Sequence, residues 1–119
     1  MDLNRLTQKS QEALAAAQTL AIEHGHTEVD VEHLLTALLD QPEGLVPRLI
    51  AATGADPAAL RRDMEAELSR KPRTTGTAPQ PGQVSLTQRV ARVLEAADRE
   101  ARRMKDEYVS VEHLLVALA

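Results

Sequence analysis

The chain has 119 residues with an ordinary apolar fraction of 43%, enough for one domain with a modest core. It has one tyrosine and no phenylalanine or tryptophan, so leucine and alanine must fill that core, and both favour helices. We therefore predict an all-α fold. The formal net charge of −4 argues against a nucleic-acid partner, because phosphate contacts need clustered positive charge.

The chain also lacks the marks of secretion and of membranes. It contains no cysteine, which excludes disulfides and thiol catalysis and fits a reducing compartment. The amino-terminal stretch has no apolar signal core, and no segment approaches the ~20 apolar residues of a membrane span. We expect a cytoplasmic protein with no membrane partner.

Start and stop signals place four helices in the first part of the chain. Thr7 is the predicted N-cap of the first helix and Gly25 its left-handed stop. Asp30 caps the second helix, which "DQPEG" (40–44) ends. The short helix "LVPRLIAA" follows, and Asp56-Pro57 opens the fourth as N-cap and first-turn proline.

An internal repeat then organises the whole chain. Residues 6–39 align with 86–119 after a shift of 80 residues, and 15 of the 34 positions are identical. Such a repeat outweighs other signals of architecture. We predict one domain with a first four-helix repeat at 6–69, a Pro- and Gly-rich linker at 70–85 and a partial second repeat at 86–119.

The second repeat differs from the first at its helix ends. Ser85 or Thr87 is the predicted cap of its first helix, with Gln88 completing a capping box from Ser85. Lys105 occupies the position of the stop glycine, so this helix is expected to end differently or run longer. Ser110 caps the next helix, whose apolar face is expected to lack packing partners. We expect the chain to be a fragment that lacks two further helices.

Candidate chemistry is sparse. The histidines are His24, His26, His33 and His113; "HGH" has no cysteine or carboxylate pair beside it, so caps or surface positions are favoured over a metal site. The serines fit caps or helix surfaces rather than a nucleophile beside a base. No phosphate-loop motif is present. We expect no enzyme activity, metal or cofactor in this chain.

Two basic clusters, at 61–73 and 99–105, alternate with acids and have no stacking aromatic residues. They are typical of solvated helix faces rather than a nucleic-acid site. A groove between two helical units would suit a segment of another protein, so binding is the expected kind of function.

Three stretches carry a family resemblance: "MDLNRLTQKSQEAL", "QPEGLVPRL" and "KDEYVSVEHLL". They resemble the amino-terminal Clp repeat domain of Clp-type AAA+ unfoldases, and most of all its ClpB disaggregase branch. The resemblance implies two pseudo-symmetric four-helix repeats. It also implies capture of unfolded or aggregated proteins, together with the DnaK chaperone system. ATP, Mg²⁺ and the homohexamer would belong to the parent protein, and the isolated domain would be monomeric.

The resemblance also implies site residues. Positions for substrate handling fall on Thr7, Asp106 and Glu112. Thr7 and Glu112 also have helix-end roles, whereas no cap requires Asp106, which is therefore the better functional candidate.

Groove-lining positions of the family fall on Ala96, Glu100 and His113. Two of these three are polar, which argues against a strongly apolar groove there. The nearby Val90, Leu94 and Ala97 are expected in the core.

Two alternatives remain. The domain would dock a folded adaptor if it came from a ClpC- or ClpA-type unfoldase or stood alone. A nucleic-acid module is the other alternative, and the net charge disfavours it.

Overall fold

A computed structural model describes residues 2–73 and 84–119 of the chain. In chain order its elements are a 3₁₀ turn, six α-helices and two short strands, which confirms the all-α class. The first repeat contains α1 (Gln8–Glu23), β1 (Glu28–Val29), α2 (Val31–Leu39), α3 (Leu45–Ala52) and α4 (Pro57–Arg70). The second contains β2 (Ser85–Leu86), α5 (Gln88–Arg103) and α6 (Val111–Leu118). Residues 74–83 of the expected linker lie outside the described residues.

Capping side chains set the helix starts as the sequence indicates. The Thr7 hydroxyl accepts a hydrogen bond from the amide of Ser10, and Asp30 accepts one from Val31. Asp56 caps α4 ahead of a first-turn proline. These caps supply acceptors for amides that have no partner inside the helix.

In the second repeat the structure settles one open alternative and differs from expectation at one helix end. Thr87, not Ser85, caps α5, because Ser85 pairs in β2 instead. Helix α5 ends at Arg103, the exact counterpart of Glu23, so the expected different ending is wrong. Lys105 adopts the left-handed conformation (φ 62°) that Gly25 adopts in the first repeat (φ 71°). Tertiary context therefore imposes the same stop on a residue that disfavours it.

Each repeat is tied to the other by short parallel pairing. Val29 of β1 pairs with Leu86 of β2, and Leu6 forms an isolated parallel bridge with Val109. Val109 is the counterpart of Val29 in the repeat, and Leu6 is the counterpart of Leu86. The two pairings are therefore pseudo-symmetric counterparts. The Thr87 amide donates to the Val29 carbonyl over 3.0 Å, and the Thr7 amide donates to Val109 over the same distance. The repeats are thus interlocked rather than merely adjacent.

The core lies between the two helix pairs. Buried alanines of α1 and α5 allow close packing, and leucines of α2 and α6 fill the space between them. The fully or nearly fully buried set includes Ala17, Ala21, Leu34, Leu38, Val90, Leu94, Ala97, Ala101 and Leu114. Val90, Leu94 and Ala97 therefore belong to the core, as predicted.

Helix α6 is better packed than the sequence suggested. It contacts α1, α2, α3 and α5, and Val111 and Leu114 are buried. The expectation that its apolar face lacks partners is wrong for these residues, since helices of the first repeat also pack against α6. Val116 remains 57% exposed.

Candidate functional site

Three of the predicted site residues, Thr7, Asp106 and His113, lie where the chain crosses itself. Residues 5–7, just before α1, run alongside residues 106–110, just before α6, and we call this place the crossing. The Val109 amide donates to the Arg5 carbonyl over 2.7 Å. The Arg5 guanidinium forms an ion pair with Asp98 and donates to the Glu107 carbonyl over 3.3 Å. Arg5 thereby joins α5, the crossing and the start of α1.

The Thr7 hydroxyl forms two hydrogen bonds with Ser10 in the first turn of α1. Its hydroxyl donates to the Ser10 hydroxyl over 3.0 Å and accepts from the Ser10 amide over 3.2 Å. The Ser10 hydroxyl in turn donates to the Val109 carbonyl over 3.0 Å. Thr7 therefore holds α1 against the crossing, which agrees with its expected helix-end role.

Asp106 has a structural partner that the sequence did not reveal. Its carboxylate oxygen Oδ2 lies 2.9 Å from His113 Nε2. The Ser110 amide donates to His113 Nδ1 over 2.9 Å, so Nδ1 is an acceptor. The ring proton is therefore on Nε2, which donates a hydrogen bond to the Asp106 carboxylate. The Asp106 side chain is still 46% exposed, whereas that of His113 is 3% exposed. Asp106 thus presents its remaining lone pairs to solvent from a fixed position.

The burial of His113 conflicts with the prediction that it lines an open groove. It completes the capping box of α6 and orients Asp106.

The Glu112 side chain is a second carboxylate next to the crossing, beside that of the exposed Glu107. It lies in the first turn of α6, as predicted, and makes no hydrogen bond or ion pair with any residue in 2–73 or 84–119. Its counterpart Glu32 forms ion pairs with Lys71 (3.6 Å) and Arg89 (3.5 Å). The carboxylate at this position is therefore paired with two cations in the first repeat, whereas in the second repeat it has no partner among the described residues.

Ala96 and Glu100 lie one turn apart on the partly exposed side of α5. Glu100 forms an ion pair with Arg103, whose guanidinium lowers the pKa of the Glu100 carboxyl. This surface is polar, in line with the expectation from the sequence.

An apolar groove occurs instead at the equivalent place in the first repeat. Ala16 and Leu20, the counterparts of Ala96 and Glu100, line a cavity of about 430 Å³ between α1 and the end of α2. Ala37 and Pro42 complete its apolar lining. The sequence analysis missed this groove, although the 80-residue shift applied to Ala96 and Glu100 would have found it.

The first repeat also contains a buried histidine pair. His26 Nδ1 lies 2.8 Å from His33 Nε2, and His33 Nδ1 accepts from the Asp30 amide over 2.9 Å. The capping role predicted for the histidines is confirmed for His33 and His113. A surface position is wrong for His26 and His33, which are 3% and 0% exposed.

Burial lowers the pKa of His33 to about 4, with further lowering by His26 and Lys71. Burial also lowers the pKa of His26. Both rings are therefore neutral near pH 7. Within the described ranges, no three His, Asp or Glu side chains form a group that could hold a metal ion.

The helical parts of the basic clusters are solvated faces, as predicted, whereas Lys71 lies after α4 and its side chain, only 25% exposed, forms ion pairs with Asp30 and Glu32. Arg61 pairs with Asp40 (2.8 Å) and Glu65 (2.7 Å), and Arg102 pairs with Asp98 (3.2 Å). Across 2–73 and 84–119, none of the helices combines the length and apolar character needed to cross a membrane.

The fold defines a duplicated helical module. Residues 5–119 match the model of the Clp repeat (R) N-terminal domain, and the chain belongs to this family. It is 48% identical over 118 residues to the chaperone protein ClpB of Nitratidesulfovibrio vulgaris, a match that covers 99% of this chain. The chain spans 14% of the length of that relative.

Solved structures agree with this assignment. The N-terminal domain (1–163) of the ClpV1 ATPase from E. coli EAEC matches with a TM-score of 0.83 and 31% identity, covering 98% of this chain and 68% of that one. A second match has the same TM-score and identity and covers 98% of this chain and 71% of the other. Its description reads "Peptide from EAEC T6SS Sci1 SciI protein". ClpV-type domains therefore share this fold with ClpB-type ones.

Proposed function

We propose that this domain captures unfolded or aggregated polypeptide for a ClpB-type disaggregase before the polypeptide is threaded. The observation that carries the proposal is the open Glu112 carboxylate beside the crossing. In the first repeat the same carboxylate is neutralised by the protein's own Lys71 and Arg89. A partner can supply the missing cation at Glu112, and Asp106, half-exposed and held in place by His113, adds a second acceptor.

The rest of the activity belongs to the proposed parent. ATP hydrolysis with Mg²⁺, assembly into a homohexamer, cooperation with the DnaK system and a cytoplasmic location are all part of this proposal. The similarity to ClpB over nearly the whole chain supports it. The domain itself would act as a monomeric accessory module that binds and releases segments quickly.

A titration followed by NMR tests the proposal. A destabilised variant of a small protein, one that stays unfolded, is added to the ¹⁵N-labelled domain, with the folded wild-type form of that small protein as the reference. We expect dissociation constants between about 10 μM and 1 mM, as for small transient contacts, with shifts near Asp106 and Glu112. Glu112→Gln should weaken binding about fivefold. No shift at the crossing with either protein form would contradict the proposal.

The matched control is Glu32→Gln, which removes the same carboxylate from the first repeat. Because Lys71 and Arg89 already occupy Glu32, this change should leave the affinity within about twofold. An equal loss in both variants would indicate a general charge effect rather than a site at Glu112.

The alternative function is the docking of a folded adaptor or a secretion-system component. The ClpV-type structures favour it, since the description of one of them names a peptide from another protein, SciI. Under this alternative the folded partner, not unfolded protein, would shift the crossing resonances. Isolation of one defined partner, with no response to unfolded protein, would favour it.

A further inference from the structure

We propose that Arg5 is a positioning residue for the candidate site. Its guanidinium fixes the backbone of residues 105–109, which connect α5 to α6 and present the Asp106 carboxylate to solvent. We call these residues the α5–α6 turn. The inference rests on the proposed function and names a side chain that affects client binding through Asp106, without touching the client itself.

Arg5 holds the α5–α6 turn at two points. Its guanidinium donates to the Asp106 carbonyl over 3.4 Å and to the Glu107 carbonyl over 3.3 Å. The Arg5 carbonyl accepts a hydrogen bond from the Val109 amide over 2.7 Å. In the part of the chain that the structure describes, no other residue donates to the carbonyls of Asp106 and Glu107. Arg5 therefore ties the main chain of the turn to the amino-terminal segment.

Helix α5 in turn holds the guanidinium in place. Arg5 forms an ion pair with Asp98, and the two side chains are only 20% and 15% exposed. Salt screens such a partly buried pair less than a surface pair, and loss of one partner leaves the other charge poorly compensated. Arg102 also binds Asp98 (3.2 Å), but its side chain is 64% exposed. Asp98 is thus the anchor from which Arg5 reaches the turn.

The turn itself contains little that would fix its backbone. Lys105 has a left-handed conformation (φ 62°), which is unfavourable for a residue with a side chain. Asp106, Glu107 and Tyr108 are exposed, so burial of their side chains contributes little. The Asp106 amide donates to the Ala101 carbonyl at the end of α5 (2.8 Å), but this bond fixes only the start of the turn. The contacts of Arg5 reach its centre.

The first repeat has no such arrangement at the equivalent place. The counterparts of Arg5 and Asp98 are Ser85 and Gln18, neither of which is charged. The equivalent turn of the first repeat is held by a buried side chain of its own, that of His26, which is 3% exposed. The contacts of Arg5 therefore belong to the repeat in which the turn exposes a carboxylate.

Arg5→Lys tests the inference without a change in net charge. Lysine can keep the ion pair with Asp98, but its compact ammonium cannot reproduce the planar guanidinium that also reaches two carbonyls. We expect the variant to bind the unfolded small protein about threefold more weakly in the NMR titration. Hydrogen exchange of the Val109 amide in the free domain should become at least about threefold faster, because the turn opens more often.

A double-mutant cycle with Asp106→Asn separates positioning from a general structural effect. Asparagine can still accept the hydrogen bond from His113, but the carboxylate that Arg5 positions is gone. In this background Arg5→Lys should change the affinity by less than about 1.5-fold. Equal weakening in the wild-type and Asp106→Asn backgrounds would assign Arg5 a general structural role and overturn the inference.

Arg102→Lys is the matched control, because Arg102 binds the same Asp98 but its guanidinium has no described contact with the turn. This variant should keep the affinity within about 1.5-fold of the wild type. Asp98→Asn is a second test, which retains Arg5 but removes its anchor, and it should weaken binding about threefold. Circular dichroism verifies that each variant folds.

The possible failures are distinguishable. If Arg5→Lys and Asp98→Asn bind as tightly as the wild type while Asp106→Asn binds more weakly, the inference is overturned and the proposed function stands. A loss with Arg102→Lys equal to that with Arg5→Lys would also overturn the inference. If the unfolded small protein does not bind the wild-type domain, the proposed function fails and the inference fails with it.

Discussion

The two repeats share a scaffold but differ in what each offers to a partner. In both, a histidine at the third position of the second helix accepts the hydrogen bond of the capping residue's amide. The other ring nitrogen of that histidine then meets His26 in the first repeat and Asp106 in the second. One partner is buried and uncharged, and the other is a half-exposed carboxylate. Identical capping thus supports a closed core in one repeat and an open polar surface in the other.

The surfaces differ in a complementary way. The first repeat neutralises Glu32 with its own cations but leaves an apolar groove at Leu20. The second leaves Glu112 open but places the charged Glu100 where the groove would be. The two repeats therefore present different surfaces, because the side chains at equivalent surface positions, such as Leu20 and Glu100, differ.

Truncation of equivalent core leucines should give the largest contrast. Leu38 is fully buried, whereas its counterpart Leu118 is only partly buried. We expect Leu38→Ala to lower the free energy of unfolding by about 2–5 kcal/mol and Leu118→Ala by about 1 kcal/mol. Urea denaturation followed by circular dichroism measures both. Equal losses would mean that the repeats contribute equally to the core.

The buried histidine pair should make stability depend on pH. The pKa of His33 is lowered by burial to about 4, so the unfolded chain takes up a proton below about pH 6.5 while the folded chain does not. The stabilising effect is complete above pH 6.5 and is lost as the pH falls toward 4. We expect a loss of about 2 kcal/mol between pH 7.5 and pH 5, measured by urea denaturation at both values.

His33→Gln is the control for this effect. Glutamine at this position preserves the capping box but does not titrate, so the variant should show a much weaker pH dependence. The pKa of Asp30 is also lowered from its ordinary value of 3.8. The stability that this carboxylate contributes is lost only as the pH falls below that ordinary value. An unchanged slope in His33→Gln would refute the role of the pair.

Exchange of the helix-stop residues should have a smaller effect. Lys105 adopts a left-handed backbone conformation, which glycine adopts without strain. Lys105→Gly should raise the free energy of unfolding by about 0.5–1 kcal/mol, and Gly25→Lys should lower it by about 1 kcal/mol. Thermal denaturation of the two variants tests this. A destabilised Lys105→Gly would show that the lysine side chain has a stabilising contact of its own.

Removal of the equivalent glutamates should change stability least. Glu32→Gln removes two ion pairs of partly buried side chains and should cost about 0.5–1 kcal/mol. Glu112→Gln removes no described contact and should be neutral within about 0.5 kcal/mol. The measurement is urea denaturation at low and high salt, where only the Glu32 effect should shrink. Marked destabilisation by Glu112→Gln would show that this carboxylate has a structural role.

Much of the fold was predictable because its signals are local. Thr7, Asp30, Asp56 and Gly25 mark helix ends through hydrogen bonds and backbone angles within a few residues of each position. The spacing of Val90, Leu94 and Ala97 similarly identified a buried face. The end of α5 at Arg103 was mispredicted, since the pseudo-symmetric packing imposes on Lys105, two residues later, a backbone conformation that lysine alone disfavours.

The candidate site was less predictable because it depends on contacts between distant residues. Asp106 and His113 were singled out through the family resemblance, but their hydrogen bond and the burial of His113 were not foreseen. The apolar groove between α1 and the end of α2 was missed because Leu20 and Pro42 come together only in the folded chain.

The sequence by itself determined the helical class, the repeat and the apolar faces of the helices, because propensity, capping and periodicity act along the chain. Only the tertiary structure decided how the repeats interlock at Leu6–Val109 and Val29–Leu86, and what covers each face. Periodicity identifies the side of a helix that avoids water but not the element that meets it. Packing alone brings Leu20 beside Ala37 and Pro42 to form the groove, whereas the charged Glu100 at the equivalent position of the second repeat is a feature of the sequence.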